Sequence, residues 1–246
     1  MMEARFFTDT GRTRACNEDA GGVFINHTGQ KLLVICDGMG GHSGGDIASE
    51  FVATRLKHAF ESENLIELHQ AEDWLKQQIA DINRQLYDEA HEDMTYQGMG
   101  TTLVAAMLFE DKIIIANIGD SRGYLINERE MRQITIDHTF VQHLVMAGEL
   151  SKEEAACHPQ RNMITRVVGT DRRVIPDIFT YHLHRYDYIL LSSDGLTDYT
   201  AESKIHELLS QPLALDEKGD ALLQLALSSE ARDNISFVLC ELGGAD

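Results

Sequence analysis

The sequence predicts an α+β fold: a central β-sandwich of two antiparallel sheets flanked by helices on both sides, in the layer order αββα. Three observations carry this expectation. Many strand-like runs occur, and several are apolar along nearly their whole length, as in strands covered on both faces. The runs at 101–109 and 112–118 are separated only by Glu110-Asp111, a hairpin-length gap that makes them antiparallel. Helical segments come in pairs between groups of strands, which argues against a doubly wound parallel sheet.

In chain order, strands are expected at 4–8, 22–27 and 31–36, the last reading KLLVIC. A helix over roughly 44–60 follows from Ile47, Phe51, Val52, Leu56 and Phe60, which recur at helical spacing. Ser43 suits its N-cap, and Asp46 suits the positive end of the dipole in its first turn. A second helix over roughly 65–91 carries one apolar stripe through Leu75, Ile79, Ile82, Leu86 and Ala90, read as core packing together with Trp74. Further strands fit 101–109, 112–118, 123–127, 174–181, 187–193 and 234–240. Shorter helices fit 139–147, 151–157, 201–209 and 216–228.

The 246 residues are long enough for a substantial core and are read as one domain, 1–246, since no repeat or proline-rich linker divides them. Asp and Glu outnumber Lys and Arg by 40 to 21, giving a net charge of −19. Such a surface repels nucleic acid and anionic lipid, so neither is an expected partner. No apolar run reaches the roughly 20 residues that span a bilayer, and the N-terminus lacks the pattern of a signal peptide. Cys16, Cys36, Cys157 and Cys240 are scattered without a C-x-x-C pair, so neither a disulfide framework nor a zinc site is expected. A cytoplasmic location and a monomer are the expectations.

Residues 34–45, VICDGMGGHSGG, place an aspartate and then a glycine-rich turn after a strand. A P-loop would need a Lys followed by Ser or Thr, which is missing. The dinucleotide fingerprint fails at Ser43, where its third glycine belongs. Acidic residues instead recur beside apolar strands: Asp37 after LLVIC, Asp120 after IIIANIG, Asp194 after ILLSS, Asp233 before ISFVLC, and Glu18-Asp19 before the strand at 22–27. Antiparallel neighbours would bring Asp37, Asp194 and Asp233 to one edge of a sheet. Crowded carboxylates raise one another's pKa unless cations neutralise them, and an all-oxygen donor set favours Mg²⁺ or Mn²⁺. A binuclear site of this kind can hold a bridging hydroxide and clamp a phosphoryl group. Each Asp-Gly is also an ordinary turn signal; Asp120 can cap a turn and Asp233 can form an Asx-turn. Gly38 would let its own carbonyl approach a cation unobstructed.

Motifs in order along nearly the whole chain carry a resemblance: GRTRACNEDA (11–20), VICDGMGGH (34–42), GMGTT (98–102), NIGDSR (117–122), DHT (137–139), H-P-x-x-N-x-I-T-R (158–166), LSSDGL (191–196) and DNIS (233–236). With these the chain resembles the metal-dependent serine/threonine protein phosphatases of the PP2C (PPM) type, in their bacterial form. The resemblance implies hydrolysis of phosphoserine and phosphothreonine in proteins with two Mn²⁺ or Mg²⁺ ions and a third, weaker one. It implies that Asp37 bridges two ions, with the Gly38 carbonyl on one and Glu18 and Asp19 supporting it directly or through water. It places Asp194 and Asp233 on the other ion, and Asp120 with Asp194 on the third. Arg14 would meet the substrate phosphate, and His42 matches a proposed general acid, although His42 can equally belong to the turn. Residues 140–165 correspond to a variable flap beside the site. The implied partners are phosphorylated proteins, a Ser/Thr kinase and its targets. Two rivals share or mimic these features: a phosphoprotein-binding pseudophosphatase or regulator on the same fold, and an unrelated metal-dependent phosphodiesterase or nuclease.

Overall fold

The computed structural model describes residues 2–40, 44–92 and 94–243. The chain opens with β1 (Glu3–Asp9), β2 (Asp19–Ile25) and β3 (Lys31–Met39), followed by α1 (Gly45–Glu61) and α2 (Leu68–Glu92). Next come β4 (Gly100–Thr101), β5 (Leu103–Leu108), β6 (Lys112–Ile118), β7 (Arg122–Ile126) and β8 (Met131–Gln133). Two short helices, α3 (Phe140–Met146) and α4 (Lys152–Ala156), precede β9 (Asp177–His182) and β10 (Tyr188–Ser192). The one-turn α5 (Asp194–Thr197), α6 (Glu202–Leu209), α7 (Leu215–Ser228) and β11 (Ile235–Glu241) complete it.

One sheet has the order β1-β11-β10-β7-β8, the other β2-β3-β5-β6-β9 with β4 joined to the end of β3. All pairings are antiparallel. Strand alternation divides the core into layers. Leu33 and Ile35 of β3, Val104 and Ala106 of β5, and Ile189 and Leu191 of β10 pack between the sheets. Leu32, Val34 and Cys36 turn the other way, onto Val52, Leu56, Leu75 and Ile79 of α1 and α2. Tyr124, Leu190, Phe237 and Leu239 face outward from the other sheet, onto α6 and α7 through Ile205, Leu209 and Leu222. The αββα order is therefore the observed one.

Differences from expectation are local. The strand expected at 101–109 is interrupted at Thr102, whose hydroxyl accepts the Asp37 N–H at 2.9 Å; a side chain takes over one rung of the ladder. β8 and α5 were not anticipated, because three and four residues are too few to show a period. The second strand starts at Asp19 rather than residue 22. The expected N-cap Ser43 lies outside the described residues.

Candidate active site

Strand parity aims the acidic side chains. Leu33 and Ile35 point between the sheets, so Asp37, two residues on, lies on the same side. Asp19 is the direct cross-strand partner of Asp37. Side chains so placed stand about 5 Å apart, where like charges repel. From the facing sheet, the Ser193 hydroxyl donates to Asp19 Oδ2 at 2.8 Å, and the Ser236 N–H donates to Ser193 Oγ at 3.1 Å. Asp194 follows directly as the first residue of α5, and Asp233 stands two residues before β11. Asp120 follows Gly119, whose φ of +99° and 2.6 Å contact between an added Cβ and Thr102 Cγ2 leave room only for glycine.

The carboxylates meet at one end of the sandwich, drawn from both sheets. This corrects the expectation of a single sheet edge: Asp19 and Asp37 belong to β2 and β3, whereas Asp194 and Asp233 flank β10 and β11. Packing the sheets face to face brings their like ends together.

Asn234 fixes the loop that delivers Arg14. Its Nδ2 donates to the carbonyls of Thr10 and Cys16 at 2.9 and 3.0 Å, and its Oδ1 accepts the Glu18 N–H at 2.8 Å. Arg14 then donates to Asp233 Oδ2 at 2.8 Å and stands 3.7 Å from Glu18 Oε2, with 45% of its side chain exposed. Gly38 is buried, and an added Cβ would lie 2.0 Å from the Gly45 carbonyl oxygen and 2.6 Å from that of Glu18. Its glycine is thus required for the close seating of α1, a stronger reason than open access to a carbonyl.

Electrostatics single out this end of the molecule. Burial, and then the charges of Asp19, Asp194, Asp120 and Asp233, push Asp37 well above the usual carboxylate range. Asp194 is raised in the same way, by burial and then by Asp120 and Asp198. Burial lifts Asp19 to about 6 against the hydrogen bonds of Ser236 and Ser193. Burial and the Asp137 charge lift Asp120 to about 7. Asp19 Oδ1, Asp120 Oδ1 and Asp194 Oδ1 are buried without a hydrogen-bond partner. Buried charged oxygens are rarely left so, and hard divalent cations are the partners such a donor set fits. Among the described residues, no three of these carboxylates offer ligand atoms all within 4.8 Å of one another.

A cleft of ≈600 Å³ runs from Asp120 and Asp194 past Asp198 and Arg161 to Val141 of α3 and Ala155 of α4. Asp198 and Asn234 were missed as site residues. Asp198 follows Asp194 by four residues, one helical turn, a spacing that reads as ordinary until Asp194 is placed. Ser121, fully buried, shares a 2.7 Å hydrogen bond with Thr102 and is no nucleophile. His42 lies outside the described residues.

The family model for protein phosphatase 2C matches residues 10–236. The chain belongs to the protein phosphatase 2C family. Serine/threonine phosphatase stp of Listeria welshimeri serovar 6b is 42% identical over 241 residues, covering 98% of this chain and 96% of that protein. The crystal structure of serine/threonine phosphatase Stp1 from Staphylococcus aureus superposes with a TM-score of 0.96 at 56% identity, covering 99% of this chain and 96% of the other. That of the catalytic domain of the serine/threonine protein phosphatase PstP, in complex with 2 manganese ions, gives 0.83 at 33% identity, covering 98% and 97%. Within the protein phosphatase 2C family, this chain is thus a protein serine/threonine phosphatase of the bacterial type.

Proposed function

We propose that the chain removes phosphate from phosphoserine and phosphothreonine in proteins, using Mn²⁺ or Mg²⁺ held by the acidic cluster. The observation that carries this is the set of buried carboxylate oxygens without partners at one end of the sandwich, beside a half-exposed arginine. Asp37, with Gly38, Asp19, Glu18, Asp194 and Asp233, would hold two such ions. Asp120 and Asp194 would hold a third. When bound, such ions activate water as a nucleophile and neutralise phosphoryl oxygens.

The chain's own groups supply the rest. Arg14 spends few of its five donors on Asp233 and Glu18, which leaves part of its planar fork for a substrate phosphate. The Ser193 hydroxyl holds Asp19 in place, and Thr102 pins the Asp37 backbone. His42 remains the candidate proton donor to the leaving alkoxide. Residues 140–165, with α3 and α4 along the cleft, act as a flap that selects the phosphoprotein. The natural targets are a Ser/Thr kinase and its substrates, met by a monomeric single-domain enzyme in the cytoplasm. Among the described residues no helix is long and apolar enough to cross a membrane.

Peptides bearing phosphoserine, phosphothreonine or phosphotyrosine, and a phosphate bis-ester, test this with Mn²⁺ and after exhaustive chelation. Hydrolysis of the first two only, lost on chelation and restored by Mn²⁺, is expected. Full activity after chelation, or metal-loaded protein that binds the peptides without cleaving them, would refute it. Arg14→Ala is expected to lower kcat/KM about 10–100-fold, mostly through KM, matching about 1.5–3 kcal/mol for hydrogen bonds to a charged group. Arg14→Lys, which keeps charge but not the fork, should fall between; unchanged kinetics for both would remove Arg14 from the site.

A further inference from the structure

We infer that Asp111, His182 and His184 form a second metal site, remote from the acidic cluster and suited to a borderline divalent cation such as Zn²⁺. Among the described residues these three alone bring a histidine or carboxylate ligand atom each within 4.8 Å of both others. His182 Nδ1 lies 3.8 Å from Asp111 Oδ2, and the two imidazole rings are 5.0 Å apart.

The backbone holds this arrangement. β6 and β9 pair in the register Lys112–His182, so Asp111 and the residues after His182 leave the sheet side by side. The Leu183 N–H donates to the Asp111 carbonyl at 2.9 Å, and the Tyr186 N–H donates to the Leu183 carbonyl at 2.9 Å. Leu183 itself is buried between the sheets. His182 is the last residue of β9, and His184 opens the turn that the Tyr186–Leu183 bond closes. With Leu183 buried between them, the turn brings the His184 ring back to within 5.0 Å of the His182 ring, beside Asp111.

The donor set decides the ion. Two imidazoles and one carboxylate suit Zn²⁺, Ni²⁺ or Co²⁺, whereas Mg²⁺ and Mn²⁺ prefer oxygen. Tetrahedral Zn²⁺, with ligands about 2.0–2.1 Å away, wants its donors roughly 3.4 Å apart. Side chains that are 58% and 61% exposed, as those of His182 and Asp111 are, can rotate over that difference without disturbing the core. Three protein ligands leave one position for water or a donor from another molecule. This differs from the expectation of no zinc site, which rested on the scattered cysteines; here the donors are an H-x-H pair, His182 and His184, and Asp111. This site lies at the start of β6 and Asp120 just beyond its end. At about 3.3 Å per residue that separates the two by roughly 25 Å, so they fill independently. Occupancy ties the β5–β6 turn to the β9–β10 connection and thereby raises the melting temperature.

The test uses the full chain without a polyhistidine tag, in excess Mg²⁺ to occupy the acidic cluster. Zn²⁺ is titrated calorimetrically into wild type, into the double variant His182→Ala/His184→Ala, and into Asp111→Asn. Even outer-shell partners are worth about 10–100-fold in metal affinity. Loss of a ligand is therefore expected to weaken one Zn²⁺ equivalent by about tenfold or more. Wild type should gain more melting temperature with Zn²⁺ than the double variant does, while the Mg²⁺-supported phosphatase rates of the two, measured without Zn²⁺, stay equal. Displacement of Mg²⁺ from the acidic cluster by Zn²⁺ is common to all three proteins and cancels. Equal Zn²⁺ stoichiometry and affinity in wild type and double variant would overturn the site.

Discussion

Asp37→Asn is expected to lower kcat/KM on a phosphothreonine peptide by about 10³-fold or more, about 4 kcal/mol at 1.36 kcal/mol per tenfold. Asparagine keeps the shape of the side chain and loses the charge that the proposed pair of cations shares. The same change should stabilise the metal-free fold. Asp37 is repelled by Asp19, Asp194, Asp120 and Asp233, and neutralising it removes the centre of that repulsion. In a chain of this size each kcal/mol is worth about 2–4 °C in Tm, so a rise of several degrees under chelation should accompany the loss of activity. Melting curves in chelator and steady-state kinetics in Mn²⁺ check both halves. Wild-type turnover would remove Asp37 from the reaction. A lowered metal-free Tm would mean that the carboxylate serves the fold instead.

The layers were legible because burial writes a period into the chain. The stripe from Leu75 to Ala90 faces the core along α2, and KLLVIC is buried on both faces, between helices and a second sheet. What escaped were elements whose information lies elsewhere in the molecule. Gly21 and Gly22 weaken the look of a strand at 19–25. Yet an alanine Cβ at residue 21 would sit 2.2 Å from the Val34 carbonyl oxygen. Close approach of β3 selects glycine there, and the strand runs three residues further towards the N-terminus than its apolar residues suggest.

Acidic residues at strand ends were visible one by one, but each alone is an ordinary turn. Only the register Asp19–Asp37 and the facing of the two sheets make them a cluster. Asn234 was quoted within a motif without a task; its three hydrogen bonds, to Thr10, Cys16 and Glu18, span more than 200 positions of sequence, and no local pattern reports that. Leu183 shows the same limit, since the pairing of its histidine neighbours depends on the burial of the leucine between them.

The metal-free protein is expected to lose stability as pH rises from about 5 to 8, and Mn²⁺ is expected to restore most where the loss is greatest. Asp19 is lifted to about 6 and Asp120 to about 7, and Asp37 and Asp194 are raised in the same direction. In the unfolded chain all four titrate near 3.9. Between these values the folded state holds more protons than the unfolded one, so stability falls with rising pH. The share of Asp19 and Asp120 is lost once pH passes about 7, and Asp37 and Asp194 add to the loss in the same direction. At about 1.4 kcal/mol per unit, the total is on the order of several kcal/mol, or roughly 10 °C in Tm. Cations bind the deprotonated carboxylates, so their contribution runs the opposite way: small at pH 5, where protons compete, and largest above 7. The difference in Tm between Mn²⁺-loaded and chelated protein, measured across this range, should therefore widen steadily with pH. Subtracting the two curves removes the titration of groups that the ions do not touch, including the repulsion within a chain of net charge −19. A difference that stays constant from pH 5 to 8 would mean that the raised carboxylates are not the groups that hold the metal.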